Sequence, residues 1–260
     1  MRLWDVAALG EALVEFNQTQ TEPPLYLQGF GGDTSNAAIA AARAGAKVRY
    51  LTRLGTDRWG DGLLSLRQKE QVDTIEQSRW LHVSGISLAI SASAFDTVLA
   101  AMQHARQAGT LVSLDSNLRL SLRPLARAQA CIRQAMSLCH VFLPSWDDLN
   151  ALTGLTEPED IIAWCHAQGA PQVVLKLGAQ GAIVSEHGDQ TILPGHQVTP
   201  VDATGAGDCF AGNLLARLCA GDSLQVAAIY ANAAAGLSVQ GYGAVAPMPR
   251  PAAVMEVLNP

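Results

Sequence analysis

Basic residues are scarce in this chain. Its 260 residues include 17 Lys and Arg against 23 Asp and Glu, a net charge of -6, and the pI is near 5.4. Nucleic-acid faces and polybasic membrane sites need clustered positive charge, so both partner classes are disfavoured. The five cysteines, Cys131, Cys139, Cys165, Cys209 and Cys219, contain no Cys-x-x-Cys pair. They fall mostly in apolar helical contexts and read as reduced core thiols, not as a metal site. The six histidines (His82, His104, His140, His166, His187, His196) likewise show no ligand spacing. No apolar run is long enough to cross a bilayer. The opening stretch MRLWDVAALGEALVEF lacks the basic flank and long apolar core of a secretory signal, so a cytoplasmic location is expected. Repeats and low-complexity tracts are absent. Two nucleotide fingerprints are missing as well: no Gly-Lys-Ser/Thr closes a Walker A loop, and no Gly-x-Gly-x-x-Gly follows the first apolar run. The second absence disfavours a dinucleotide-dependent oxidoreductase.

Apolar bulk is what the chain has. With 49% hydrophobic and 15% charged residues, it is long enough to bury a large core, and one α/β domain fits. Runs at 5–9, 47–54, 81–84, 110–114, 140–145 and 172–177 read as strands, and 182–186 follows the last of them through a Gly-x-x-Gly turn. Residues 12–16 and 25–30 read as a more exposed pair around a polar, Pro-containing turn at 17–24. Helices are expected over the Ala-rich run ending at Gly45, over 91–108, 126–138, 209–219 and 224–239, and from Trp146. A loop at 53–60 leads into a further helix from Gly60. The stretch 188–200 supplies an edge hairpin.

Two stretches carry chemistry. The first, VDATGAGDCFAG at 201–212, is a small-residue loop that feeds a helix start. Such a start leaves backbone N–H groups without partners, and with the helix dipole these form an anion site. Asp208 would stand beside a bound phosphate, where a carboxylate makes sense as the base that takes a proton from an attacking hydroxyl. The alternative is a capped helix start with Asp208 as a dipole partner. The second stretch is Gly31-Gly32-Asp33-Thr34-Ser35-Asn36. Its glycines permit close approach to the backbone, and Asp33 and Asn36 offer groups for hydroxyls. Here the alternative is a turn with Asp33 or Ser35 as N-cap. A third position is Asp115-Ser116-Asn117-Leu118-Arg119 at a strand's carboxyl end, where ligands of parallel sheets gather. Arg119 there is able to fork onto a carboxylate or a phosphate.

Asp202-Ala-Thr-Gly-Ala-Gly-Asp208, followed by Cys-Phe-Ala-Gly, resembles the C-terminal signature of the PfkB (ribokinase-like) sugar kinases. Gly31-Gly32-Asp33-Thr34-x-Asn36 resembles their N-terminal sugar-binding signature. Within that family the chain, with Asp-x-Asn-x-Arg at 115–119, is most similar to the 2-keto-3-deoxygluconate kinases. The resemblance implies a three-layer α/β/α sandwich with a mostly parallel central sheet, residues 1–260 as one kinase domain, and 11–30 as part of a β lid over the sugar. It implies ATP and Mg²⁺, with a monovalent cation near the glycine-rich 240–244 turn in some relatives. Asp208 becomes the general base, and the N–H groups of Gly205, Ala206 and Gly207 stabilise the phosphoryl group. Gly31, Gly32, Asp33, Asn36 and Arg119 hold the sugar. Asn117, Arg119, Lys176, Gly178, Gly181, Gly205, Gly207 and Asn232 fall on the nucleotide side. No direct metal ligand is assigned: Ser145 and Asp148 are a soft match to the family's Asn-x-x-Glu, and read equally well as N-cap and first-turn acid.

The chain departs from the family between Gln71 and Trp80, where two further lid strands have no room. Sugar specificity therefore keeps three readings open: an acid-sugar kinase, a kinase for fructose, ribose or another neutral sugar, and a non-catalytic sugar or nucleotide sensor. Lids of the family often meet across dimers, so a homo-oligomer is compatible with the resemblance.

Overall fold

Short runs rich in Val, Leu and Ala alternate with helical runs, and the fold stacks them in layers. The computed structural model describes residues 2–52, 75–186 and 188–259. The strands are β1 (Trp4–Leu9), β2 (Leu13–Gln20), β3 (Leu25–Gly31), β4 (Val48–Leu51), β5 (Ser78–Ser84), β6 (Leu111–Asp115), β7 (Val141–Leu143), β8 (Gln172–Lys176), β9 (Gly181–Glu186) and β10 (Asp189–Pro194). The helices are α1 (Asp33–Arg43), α2 (Gly85–Ala89), α3 (Ala92–Gln107), α4 (Leu125–Met136), α5 (Trp146–Thr153), α6 (Pro158–Ala167), α7 (Ala206–Ala220), α8 (Leu224–Ser238) and α9 (Pro251–Leu258).

Eight strands form one sheet in the order β10-β9-β8-β7-β6-β5-β1-β4, and β2 and β3 form a separate two-stranded sheet. From β4 to β8 all neighbours are parallel. Only β9 runs against the others, paired antiparallel with β8 through the Gly-x-x-Gly turn and with β10 on its other side. Alternation along each strand splits the core into two faces. Leu81, Val83, Leu114, Phe142 and Val173 pack with α3 to α6. Val6, Ala8, Trp80, Leu143 and Val174 pack towards α1, α7 and α8. A third cluster joins α8 to α9. The chain leaves β1 towards β4 on one side and reaches β5 on the other. Crossovers therefore reverse at β1, which opens a crevice beyond the strands' carboxyl ends. Asp33, Asn36, Asp115, Asn117, Lys176 and Asp208 gather there.

Several details differ from the sequence expectation. Gly32 occupies the N-cap position of α1 with φ 103°, and no side chain caps that helix; Asp33 lies inside the first turn and turns its carboxylate to Ser84. Strand β2 runs past Phe16 because pairing with β3 continues to Gln20 opposite Leu25. Helices α2, α6 and α9 were not drawn from the sequence. The loop at 53–60, the helix from Gly60 and His187 lie outside the described residues. Residues 75–77 form a single 3-10 turn that enters β5 directly. The cysteines are free thiols, four of them buried and Cys219 half-buried. His82 bonds Ser113, His140 accepts from the Val112 N–H, and His166 bridges Ala170 and Ser185, so these rings have structural partners. Among the described residues no helix is long and apolar enough to cross a membrane.

The contact that sets the crevice is α1 against α7. A β-carbon at Gly212 would strike the Ala37 carbonyl oxygen and lie 2.6 Å from the Ala40 β-carbon. Gly212→Ala should therefore push the two helices apart and cost about 1–3 kcal/mol of stability, the usual range for overpacking. Chemical denaturation measures it, and an unchanged midpoint contradicts this packing.

Candidate active site

The turn before α7 is held by Asp202. Its Oδ1 accepts from the Thr204 N–H at 2.9 Å and the Thr204 hydroxyl at 2.6 Å, and its Oδ2 accepts from the Gly243 N–H at 2.9 Å. Burial works against ionisation of Asp202, yet these donors hold its carboxyl below the usual range. Gly205 caps α7 with φ 74° and no side-chain cap. Its hydrogen faces Ala244, whose β-carbon would lie only 2.8 Å from a β-carbon at 205. The Ala206 N–H donates to the Ala203 carbonyl at 3.2 Å, so it is engaged within the turn. The N–H groups of Gly207 and Asp208 have no acceptor among the described residues. Open donors at a helix N-terminus are the physical requirement for an anion site.

Asp208 sits in the first turn of α7 and is 6% exposed. Its Oδ2 accepts from Asn36 Nδ2 at 2.9 Å and its Oδ1 from Asn117 Nδ2 at 3.4 Å. Asn117 reaches it from a loop in which its own φ is 26°. Burial, followed by the charge of Asp33, holds the Asp208 carboxyl well above the usual range, against the bond from Asn36. Asp33 accepts from Ser84 Oγ at 2.8 Å. Burial pushes Asp33 up to about 6, opposed by the Ser84 bond and the Arg119 charge. Asp115, at the end of β6, pairs with Lys176 Nζ at 2.5 Å. Burial raises Asp115 too, although Lys176 pulls it down. The sequence motifs therefore meet: Asp33, Asn36, Asn117, Lys176 and the 205–208 turn converge on one crevice.

Arg119 is exposed, and its Nη1 donates to the Leu118 carbonyl at 3.0 Å. Its charge acts on Asp33 and on a group the sequence reading missed, Glu11. Glu11 follows β1 directly, and its Oε2 accepts from Ser87 Oγ at 2.8 Å. Its Oε1 is buried with no hydrogen-bond partner among the described residues. Burial pushes Glu11 up to about 7. An acid one residue beyond Gly10, at a parallel strand's carboxyl end, was the signal that would have found it. Glu15 on β2 was also passed over. Its carboxylate fills the space beside Gly29 and Gly31 and its Oε1 accepts from the Ala244 N–H at 3.1 Å.

The remaining residues that the resemblance puts on the nucleotide side form a second group. Gly178 and Gly181, with φ 58° and 103°, make the turn from β8 to β9. A side chain on Gly181 would collide with the Leu193–Gly195 backbone. Asn232 donates its Nδ2 to the Pro194 carbonyl at 2.8 Å, so it meets Gly181 at that same backbone. Lys176, just before the turn, links the two groups. Ser145 caps α5 through the Asp148 N–H at 3.2 Å. Asp148 Oδ2 accepts from Ser116 Oγ at 2.6 Å and from the Leu118 N–H at 3.2 Å. Both side chains thus serve local structure. No cluster of three His, Cys, Asp or Glu suited to a metal occurs among the described residues.

The raised carboxyls make the chain's stability fall as pH rises. Asp33 and Glu11 bind protons more tightly folded than unfolded, so their contribution is full below about pH 4 and is lost as pH passes about 6 and 7. Asp33→Asn should gain about 1–3 kcal/mol on the wild type between pH 5 and pH 8. Thermal melts at the two pH values test this, and an equal difference at both contradicts it.

Comparison with known proteins agrees with this geometry. The profile for the pfkB family carbohydrate kinases matches residues 4–80 and 66–251. A 2-dehydro-3-deoxygluconokinase of Escherichia coli K12 is 29% identical, with 93% of this chain and 97% of that protein covered. That alignment runs over 304 positions, more than the chain's 260 residues, so the relative carries segments absent here. A probable fructokinase-7 of Arabidopsis thaliana is 26% identical, covering 98% of this chain and 92% of that one. Among solved structures, a fructokinase of Vibrio cholerae O395 with fructose, ADP and calcium ion superimposes with a TM-score of 0.89 at 28% identity, covering 98% of both chains. The layered ribokinase-like sheet, the two signatures and the full-length family match lead to one conclusion: this chain belongs to the PfkB family of carbohydrate kinases.

Proposed function

We propose that the chain transfers the γ-phosphoryl group of ATP to a hydroxyl of a small keto sugar acid, with 2-keto-3-deoxygluconate converted to its 6-phosphate as the favoured reaction. It would do so as a single kinase domain in the cytoplasm, with the β2–β3 hairpin as a partial lid. The observation that carries the acid-sugar reading is Arg119. It stands exposed beside Asp33 and Glu11 with one hydrogen bond among the described residues, to its neighbour's carbonyl. Four of its five donors are left for a planar anion such as a carboxylate. The relatives named 2-dehydro-3-deoxygluconokinase support the same choice.

In this reading Asn36 and Asn117 hold the Asp208 carboxyl towards the crevice, and Gly31, Gly32 and Asp33 line the sugar side. The substrate hydroxyl gives its proton to Asp208 as its oxygen bonds to the γ-phosphorus, and the bond from that phosphorus to the bridging oxygen breaks to release ADP. The open N–H groups of Gly207 and Asp208 take the charge on the transferring group. Gly205 supplies the close approach, and Ala206 keeps the turn closed. Lys176, Gly178, Gly181 and Asn232 form the nucleotide side. Magnesium, when present, screens the nucleotide's phosphates; Ser145 and Asp148 are engaged in capping and in the 116–118 loop, and no step is assigned to a protein-held ion. Asp202 is likewise occupied by Thr204 and Gly243, so no step is assigned to a monovalent cation.

A neutral ketose is the second reading. Glu11, Asp33 and Glu15 put three carboxyl groups on the sugar side, which suits hydroxyls, and the fructokinase relatives point the same way.

Asp208→Asn should lower kcat by about 10²–10⁴-fold with ATP binding retained, the range for loss of a general base. Turnover equal to wild type would remove Asp208 from the chemistry. Arg119→Ala should raise KM for the keto acid well above any change for fructose, and equal losses with both sugars would leave the neutral reading in place.

A further inference from the structure

Asp115 has no part in the reaction as written above, yet it is among the most buried acids of the molecule at 3% exposure. It ends β6 on the face that carries α1 and α7, since its register partner Leu143 packs there. Lys176 ends β8 on the same face, two residues beyond Val174. Strand β7 lies between them and ends at Leu143, so the two side chains meet across the end of the shorter strand. They pair at 2.5 Å, with side-chain exposures of 13% for Lys176 and 4% for Asp115.

The lysine is in a position that electrostatics alone disfavours. A β-carbon on Gly207 would lie 3.4 Å from its Nζ, so the ammonium stands against the first turn of α7. That is the positive end of a helix, where a cation is destabilised. The open N–H groups of Gly207 and Asp208 add to the positive potential. Two positive features face one another only where an anion is to arrive. The anion that holds the ammonium there is Asp115.

We infer that Asp115 is a positioning residue: it holds the Lys176 ammonium against the 205–208 turn, where that charge meets the transferring phosphoryl group and sets the ionisation of Asp208. The inference rests on the reading of Asp208 as the base of a kinase reaction. The groups that face Asp208 are few. Helix α1 presents Asp33 and Asn36; β6 and its loop present Asp115 and Asn117; β8 presents Lys176. Arg119 acts on Asp33, which in turn acts on Glu11, one step away, and His82 on β5 is buried and neutral. Of these charges Lys176 alone favours the ionised form of Asp208 directly. Both carboxylates oppose it.

The test is the pH dependence of kcat/KM in wild type, Asp115→Asn and the Asp115→Asn/Lys176→Met double variant, from pH 5 to pH 9, with whichever sugar the wild type turns over. Asp115→Asn removes an opposing charge from Asp208 and frees the lysine from its place beside it. KM for ATP should rise about tenfold or more in Asp115→Asn and no further in the double variant, because the ammonium is already released. For the same reason the acid limbs of the two variants should coincide, displaced to lower pH than the wild type because Asp115 acts on Asp208 more strongly than Lys176 does. An unmoved KM for ATP in Asp115→Asn, or a double variant with a further rise in KM and a limb at higher pH than the single variant, would make Asp115 merely structural and overturns the inference. Should a variant lack turnover, carboxyl ¹³C titration of Asp208 in the unliganded protein reads the same displacement, and an unmoved titration is equally decisive. Wild type without turnover on any sugar, but with the displaced titration, would reject the kinase reading while leaving Asp115 as the residue that sets Asp208.

Discussion

Three carboxyl groups and one ammonium share a crevice, and most of the architecture follows from keeping them there. Asp33, Asp115 and Asp208 are each less than a tenth exposed, and among the described residues Lys176 is the cation buried with them. Like charges in so little water cannot all ionise, so burial drives their protonation upwards. An aspartate with raised proton affinity is a stronger acceptor for a hydroxyl proton than one in water. The same crowding requires that each oxygen be held. Asn36 and Asn117 hold Asp208, Ser84 holds Asp33, and Lys176 holds Asp115. These partners come from α1, β5, β6, β8 and α7, so the crevice exists only when the sheet order and the close α1–α7 contact are both in place.

The proposed sugar side and the proposed anion side are joined by one short loop. Gly243 donates to Asp202, Ala244 donates to Glu15 on the hairpin, and the Ala244 side chain covers Gly205 at the cap of α7. The hairpin therefore does not stand free of the turn that caps α7. A two-stranded sheet has little stability of its own, and this bond ties its Glu15 row to the body of the protein. The hairpin is the one two-stranded sheet among the described residues.

Much of this was legible in the sequence because it is local. The strand and helix periods of β1, β5 to β8, α3, α7 and α8 are plain, and the glycines at 31–32 and 205–207 mark turns that a backbone-binding ligand needs. Spacing within a motif also predicts that Asp33 and Asn36, or Asp202 and Asp208, serve one site. What spacing does not carry is the partner across the sheet. Nothing local joins Asp115 to Lys176, 61 residues away, or Glu15 to Ala244. Glu11 escaped notice because an acid after a strand is common, and only its burial sets it apart. The N-cap alternative at Asp33 fails for a related reason: aspartate has the right residue type for a cap, but the tertiary bond from Ser84 takes its carboxylate instead.

The account stands most directly on turnover by the unmodified protein. ADP release from MgATP should be measured side by side with 2-keto-3-deoxygluconate, fructose and ribose, using full-length protein of verified mass. Release with the keto acid, well above that with either neutral sugar, is the predicted result. Release with fructose or ribose and none with the keto acid would contradict the role given to Arg119, and ATP binding without release on any of the three would contradict the base assigned at Asp208.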